Sequence, residues 1–288
     1  MFDVFETRRI KTGGAEIHLR IGGPGPPLLL LHGFPQTHVM WHRLAPVLAQ
    51  RFTVVCPDLR GYGASSKPAG GPDHAGYAKR AMAQDMAEVM AALGFPRFQV
   101  VGHDRGARVT HRLCLDHPAA VERACVIDIA PTLTMYEGTD QAFATGYYHW
   151  FFLIQPAPLP ERLIGNDSDW WVERTLGSWG GGHFDPAAVE AYKAAFRDPA
   201  TLHATCEDYR AAAGIDLAHD RADADKRIAC PLLVLWGTKG LVGRTYDVLA
   251  TWRAKAGEVR GHAIEGGHFL PEENPSATLA ALEDFLVA

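Results

Sequence analysis

Asp104 lies in Gly102-His103-Asp104-Arg105-Gly106, a small-x-nucleophile-x-small pattern with a carboxylate where an ester-cleaving site carries serine. The residue type selects the chemistry. A serine that attacked a saturated carbon would end as a stable ether, whereas a carboxylate ends as an ester whose carbonyl can still be opened by water. The expected target is therefore an sp³ carbon, not an acyl group. His268, in Gly266-Gly267-His268-Phe269-Leu270, follows the nucleophile in the chain order of an elbow site. Asp104 is ionised near neutral pH, so His268 is expected to activate the water that opens the alkyl-enzyme ester, not to deprotonate the nucleophile.

The acid that orients His268 is read at Asp128. The loop after Trp236, where many elbow sites carry this acid, reads Gly237-Thr238-Lys239-Gly240 and has none, whereas Asp128 ends an apolar run in Val126-Ile127-Asp128-Ile129. A carboxylate there is costly unless paired, and an imidazolium would compensate it. A structural strand-end aspartate is the plain alternative, with Asp247 a distant second candidate for the acid. His32-Gly33-Phe34-Pro35 follows the first buried run, so the backbone amides of Phe34 and Arg105 are the expected oxyanion donors. Arg105 and Arg108 fall three apart in the first turn of the helix that the elbow opens, opposed by its macrodipole. A substrate carboxylate would compensate them through charge-assisted contacts; a salt bridge to an acid of the protein would do the same.

These residues need a scaffold, and the chain supplies alternating strands and helices. Residues 5–11 and 16–21, separated by Thr12-Gly13-Gly14, read as a hairpin. Continuous apolar runs at 27–31, 52–56, 98–102, 124–129 and 231–236, with a last strand near 259–264, read as the buried strands of a mostly parallel sheet. Helices are expected over 38–50, 77–93, from the elbow to Asp116, and over 275–286. Between about 131 and 220 the β-type runs give way to aromatic, helix-compatible sequence, broken by Gln155-Pro156-Ala157-Pro158-Leu159-Pro160 and Gly180-Gly181-Gly182. The predicted organisation is an α/β core, residues 1–130 and 221–288, with a helical cap inserted at 131–220.

Composition narrows the partners. The chain has 288 residues, 47% of them hydrophobic, enough for a large core. A net charge of −5 without a basic block argues against nucleic acid or an anionic membrane as partner. An anionic substrate must therefore be attracted locally. Five scattered cysteines (Cys56, Cys114, Cys125, Cys206, Cys230) without Cys-x-x-Cys pairs read as reduced thiols, and the N-terminal sequence has no signal-peptide pattern, so a cytoplasmic location is expected. No His-Glu-x-x-His or tight Cys/His cluster suggests a metal site. His38 and His42 are read as structural residues on one helix face, and Asp58-Leu59-Arg60-Gly61-Tyr62-Gly63 as a shaped loop.

With these residues in place, the chain resembles the α/β-hydrolase superfamily and, within it, the haloacetate dehalogenases, specifically the fluoroacetate dehalogenases. The likeness covers almost the whole chain. It rests on HGFPQTHVMWH from His32, GHDRGARV from Gly102, VIDIAPT from Val126, YHW from Tyr148, QPAPLPE from Gln155, CEDYRA from Cys206 and GGHFLPEE from Gly266. The resemblance implies an α/β-hydrolase fold with an eight-stranded sheet flanked by helices. It implies that Arg105 and Arg108 hold the substrate carboxylate and that His149, Trp150 and Tyr209 of the cap hold the leaving halide. Trp179 is placed in the same pocket, while the Gly180-Gly181-Gly182 loop after it departs from the family pattern. A homodimer and the absence of a cofactor are implied in the same way.

The expected reaction is hydrolysis of a haloacetate to glycolate and halide. An epoxide hydrolase is the nearest rival, since it uses the same Asp-His-acid set and could recruit Tyr147, Tyr148 or Tyr209 as donors to the epoxide oxygen. Arg105 argues against it, because a neutral epoxide gains nothing from a cation beside the nucleophile; the same argument disfavours a dehalogenase for neutral haloalkanes. A non-catalytic ligand receptor on this fold is the alternative from another class, and binding without turnover distinguishes it.

Overall fold

The apolar runs pair into one sheet. The computed structural model describes residues 1–182 and 184–287. Its strands are β1 (Glu6–Lys11), β2 (Glu16–Gly22), β3 (Pro27–Leu31), β4 (Thr53–Pro57), β5 (Phe98–His103), β6 (Val121–Ile127), β7 (Leu232–Gly237) and β8 (Val259–Ile264), in the order β1-β2-β4-β3-β5-β6-β7-β8. The first hairpin is antiparallel and β2 is antiparallel to β4; the pairings from β3 to β8 are parallel. β2 alternates between buried and half-buried residues, as a strand with one covered face does, whereas β5 is buried along its whole length. This is the expected mostly parallel, eight-stranded arrangement.

Helices α1 (Ala45–Leu48), α2 (Lys79–Ala92) and α3 (Arg105–Asp116) follow β3, β4 and β5. α3 packs on β5, β6 and α2, so every residue from Arg105 to Cys114 is buried. Between β6 and β7 the described residues hold helices and no strand: α4 (Thr132–Glu137), α5 (Gln141–Gly146), α6 (Tyr148–Leu153), α7 (Leu159–Gly165), α8 (Ser168–Trp179), α9 (Pro186–Phe196), α10 (Pro199–Ala213) and α11 (Ile215–Ala222). α12 (Leu241–Thr245) and α13 (Val248–Arg253) follow β7, and α14 (Leu270–Glu273) and α15 (Pro275–Phe285) close the chain. Among the described residues no helix is long and apolar enough to cross a membrane. All five cysteines are free.

One helix differs from expectation. Residues 38–50 form a 3₁₀ turn, His38–Trp41, and then the separate short α1. Pro46 has no N–H to give a continuous helix and sits instead in the first turn of α1, where that donor is not needed. His38 therefore does not act with His42. Its Nδ1 is 2.8 Å from Asp58 Oδ1, and His18 Nδ1 is 3.1 Å from Asp58 Oδ2. His18, His38 and Asp58 stand close enough to share a metal ion. The backbone N–H groups of His38 and Ala64 also donate to this carboxylate, each at 2.9 Å. Four protein donors thus satisfy Asp58, which makes the cluster a clamp on the loop after β4.

Candidate active site

Parallel register sets the site. His103 pairs with Ile127, Ile127 with Leu235, and Gly237 with Ile264, so the carboxyl ends of β5 to β8 lie side by side. In open α/β sheets ligands bind at this edge. The ladder runs on into the candidate residues, with the Asp104 N–H donating to the Ile127 carbonyl at 3.2 Å and the Asp128 N–H to that of Leu235 at 2.8 Å. Both aspartates have positive φ, 47° and 53°. Such backbone is uncommon outside glycine and gathers at functional sites. At Gly106 a Cβ would stand 2.4 Å from the His32 carbonyl oxygen, so the close approach of α3 to the end of β3 requires glycine.

The structure brings Asp104, Asp128 and His268 together. His268 Nδ1 is 2.6 Å from Asp128 Oδ2, and the other Asp128 oxygen accepts the Gly237 N–H at 2.9 Å. His268 Nε2 faces Asp104 Oδ2 at 3.7 Å, too far for a hydrogen bond. The Phe34 N–H donates to Asp104 Oδ1 at 2.8 Å. One oxygen of Asp104 is thereby tethered, while the other faces His268 without a hydrogen bond to it. Burial alone would raise the Asp104 carboxyl, but the charges of His268, His103, Arg105 and Arg108 hold it down at about 2. For His268, burial works against the proton; the Asp128 hydrogen bond and charge, with the Asp104 charge, outweigh it and raise the imidazole above its ordinary value. Asp247, the distant candidate, is an exposed N-cap that accepts the Ala250 N–H at 3.0 Å.

The two arginines differ. Arg105 Nε and Nη2 donate to both carboxylate oxygens of Asp208 on α10, at 2.9 and 2.7 Å, and its guanidinium stacks on Tyr209 at 4.1 Å. An acid of the protein therefore compensates Arg105, the second of the two sources that the sequence leaves open. Its Nη1 remains buried without a partner. Arg108 reaches only Thr132 Oγ1 at 2.9 Å, the Ala130 carbonyl at 3.2 Å and Met135 Sδ at 3.2 Å, with Trp150 under its guanidinium at 4.7 Å. Among the described residues no carboxylate lies within 4.0 Å of it. Of the two arginines, Arg108 is the one without a carboxylate partner among the described residues, one helical turn from Asp104.

Asp208 was not foreseen, although it stands in the CEDYRA segment beside Tyr209. It also accepts Tyr62 Oη at 2.7 Å and Lys79 Nζ, so cap and core share one buried ion cluster. Asp208→Ala would leave Arg105 buried without its carboxylate and Lys79 with only Asp216 at 3.8 Å, and is expected to lower the unfolding free energy by about 3–5 kcal/mol. Urea unfolding measures this, and an unchanged midpoint would contradict it.

The cap aromatics surround Phe34. His149 stacks on it at 6.0 Å, Tyr209 meets it edge-on at 5.4 Å, and Trp179 lies 4.1 Å from His149. Tyr209 Oη and His149 Nδ1 are buried without partners, two polar atoms left for a ligand. Burial holds His149 neutral, well below its ordinary value. Trp150 packs farther round, between Arg108 and Tyr136. A cavity of about 250 Å³ reaches this region, with Tyr147, Trp179 and His268 in its wall and Arg174, Lys239 and Arg244 at its exposed rim.

The family model described as alpha/beta hydrolase fold matches residues 26–275. The chain is 48% identical to a fluoroacetate dehalogenase of Burkholderia sp, over 99% of this chain and 95% of that one. It is 32% identical to a soluble epoxide hydrolase of Corynebacterium sp. (strain C12), over 91% and 90% of the two chains. Among solved structures, ALR0039 from Nostoc sp PCC 7120 is 58% identical and superposes with a TM-score of 0.99, covering 100% of this chain and 99% of that one.

Proposed function

This chain belongs to the α/β-hydrolase family and, within it, to the haloacetate dehalogenases, and from that premise we propose that it hydrolyses haloacetates, fluoroacetate foremost, to glycolate and halide. The observation that carries the reading is Arg108, a buried guanidinium with no carboxylate partner among the described residues, one turn from a free carboxylate oxygen of Asp104. A substrate carboxylate on Arg108 and on Arg105 Nη1 holds Cα before Asp104 Oδ2. In-line attack forms the Oδ2–Cα bond and breaks the carbon–halogen bond, whose electron pair leaves with the halide. His149, Trp150 and Tyr209 donate to the departing anion, whose growing charge hydrogen bonds stabilise.

The second half opens the ester. His268 Nε2 takes a proton from water, the hydroxide adds to Cγ of Asp104, and the negative charge gathers on Oδ1. The Phe34 N–H already points at that oxygen, with the Arg105 N–H as the second proposed donor. Collapse expels glycolate through the former Oδ2, the proton on His268 passes to it, and the regenerated Asp104 carboxyl releases the second water proton to solvent to become the carboxylate again. Asp128 steadies the imidazolium in between. The reading includes a cytoplasmic homodimer, supported by the free cysteines for the compartment and by family likeness for the dimer.

The test pairs chloroacetate with its neutral analogue chloroacetamide. Hydrogen bonds to charged groups are worth about 1.5–3 kcal/mol, so Arg108→Gln should lower kcat/KM for chloroacetate roughly tenfold to a hundredfold, mostly through KM. Chloroacetamide should be little affected. Equal losses on both substrates, or no halide from any haloacetate, would overturn the reading. Turnover of an epoxide without halide release would favour the second reading, an epoxide hydrolase, which the 32% identity to the Corynebacterium enzyme and the unpartnered Tyr209 hydroxyl support.

The pH dependence separates the two halves. His268 must be neutral to accept a proton, and its pKa is raised above 6.5, so turnover should fall on an acid limb centred above that value. Esterification removes the Asp104 charge, but the stronger influence of Asp128 remains. Ester formation needs only ionised Asp104, whose pKa is about 2. Rapid-quench measurements should therefore show a halide burst that persists on the acid side where steady turnover has declined; burst and turnover falling together would contradict this.

A further inference from the structure

We propose that Glu273 is a positioning residue for His268, and that through it the Gly180-Gly181-Gly182 loop of the cap helps set the register of the water-activating imidazole. Three consecutive backbone N–H groups around the histidine are held from outside their own loop backbone. Glu273 Oε2 accepts the Gly267 N–H at 2.7 Å and Oε1 accepts the Phe269 N–H at 2.7 Å. The N–H of His268 itself donates to the carbonyl of Trp179, in the cap, at 2.8 Å. Oε2 also accepts the Gly181 N–H at 2.5 Å. One half-buried carboxylate at the end of α14 therefore ties the cap loop to both neighbours of His268.

Charge-assisted bonds to backbone N–H groups are among the stronger hydrogen bonds, and three of them converge on this one side chain. The glycines fit the clamp. A Cβ at Gly267 would stand 2.4 Å from the Trp179 carbonyl oxygen and 2.9 Å from the Gly181 nitrogen, and a Cβ at Gly181 would stand 3.1 Å from Glu273 Oε2. Any larger residue at 267 would push the two segments apart. The glycine run thus has a physical role: it lets the cap backbone come close enough to bind the same carboxylate as the histidine loop. On the core side, His103 Nε2 donates to the His268 carbonyl at 2.8 Å, so the loop is gripped between the sheet and the cap.

The inference deepens the proposed hydrolytic cycle and rests on it for its kinetic consequence. Asp104 attack does not use His268, whereas ester hydrolysis does. In Glu273→Ala and the milder Glu273→Gln, the first-turnover halide burst should stay within about threefold of the native protein, while steady turnover falls roughly 10- to 100-fold, as displacing a catalytic group by an ångström does. The alkyl-enzyme ester should accumulate in intact-mass spectra. Burst and turnover falling together, or neither changing while the native protein turns over, would overturn the assignment.

Hydrogen exchange gives a readout that does not depend on activity. Loss of the Glu273 carboxylate should speed exchange in residues 177–182 and 266–270 together. Faster exchange in only one segment, or in neither, would overturn the clamp. Absence of halide release from the native protein would refute the proposed activity, and the exchange result would still decide the clamp.

Discussion

Asp104→Asn is expected to abolish halide release from haloacetates, with a loss on the order of 10⁴-fold or more. In the proposed cycle every later step depends on the ester that this carboxylate forms, and a carboxamide is a poor nucleophile at saturated carbon. The substitution is nearly isosteric. An amide oxygen can still accept the Phe34 N–H that now reaches Oδ1 at 2.8 Å, so the strained elbow has its tether in the variant. Thermal unfolding close to that of the native protein, beside lost activity, is the predicted combination. Release at even a tenth of the native rate, after mass spectrometry has excluded deamidation back to aspartate, would mean that another group attacks the substrate.

His268→Asn is expected to give the complementary result: one equivalent of halide per site, then a stall. General-base assistance is worth about 10²–10⁴-fold, so the steady rate should drop by that order while the first bond cleavage survives. The His268 ring reaches Asp104 at 3.7 Å without a hydrogen bond, so its removal leaves the nucleophile bonded to Phe34 as before. Loss of a positive neighbour relaxes one of the influences that keep Asp104 ionised, but the two arginines remain. A stoichiometric burst with a stable covalent adduct supports the division of labour. Loss of the burst itself would show that the histidine is needed before the ester exists.

The residues that lay at strand ends were the legible part of the site. Asp104 announces itself through the small residues around it, which exist because β3, β5 and α3 meet within a few ångströms. Asp128 and His268 follow from chain order and from the cost of an unpaired carboxylate in an apolar run; the structure places them 2.6 Å apart at Nδ1 and Oδ2. The parallel sheet was legible for the same reason, since buried strands read as continuous apolar runs. Asp208 was not. It meets Arg105 across 103 residues of chain, and nothing in a local pattern tells a buried partner from a solvated acid on a helix. Glu273 was hidden in the same way, as its partners are backbone N–H groups, which every residue but proline carries. The helical stretch expected over 38–50 is instead a 3₁₀ turn and a separate short helix, because Pro46 cannot supply the N–H that a continuous helix needs there.

The most direct test of the central claim is a single turnover of chloroacetate in ¹⁸O water with enzyme in excess, followed by mass analysis of the glycolate and of the peptide that carries Asp104. If the carboxylate attacks carbon and water then attacks Cγ, the new oxygen of glycolate comes from Asp104, and the label appears in the Asp104 peptide while the glycolate stays unlabelled. Labelled glycolate beside an unlabelled peptide would mean that water attacks the substrate directly and would contradict the account, as would the absence of glycolate altogether.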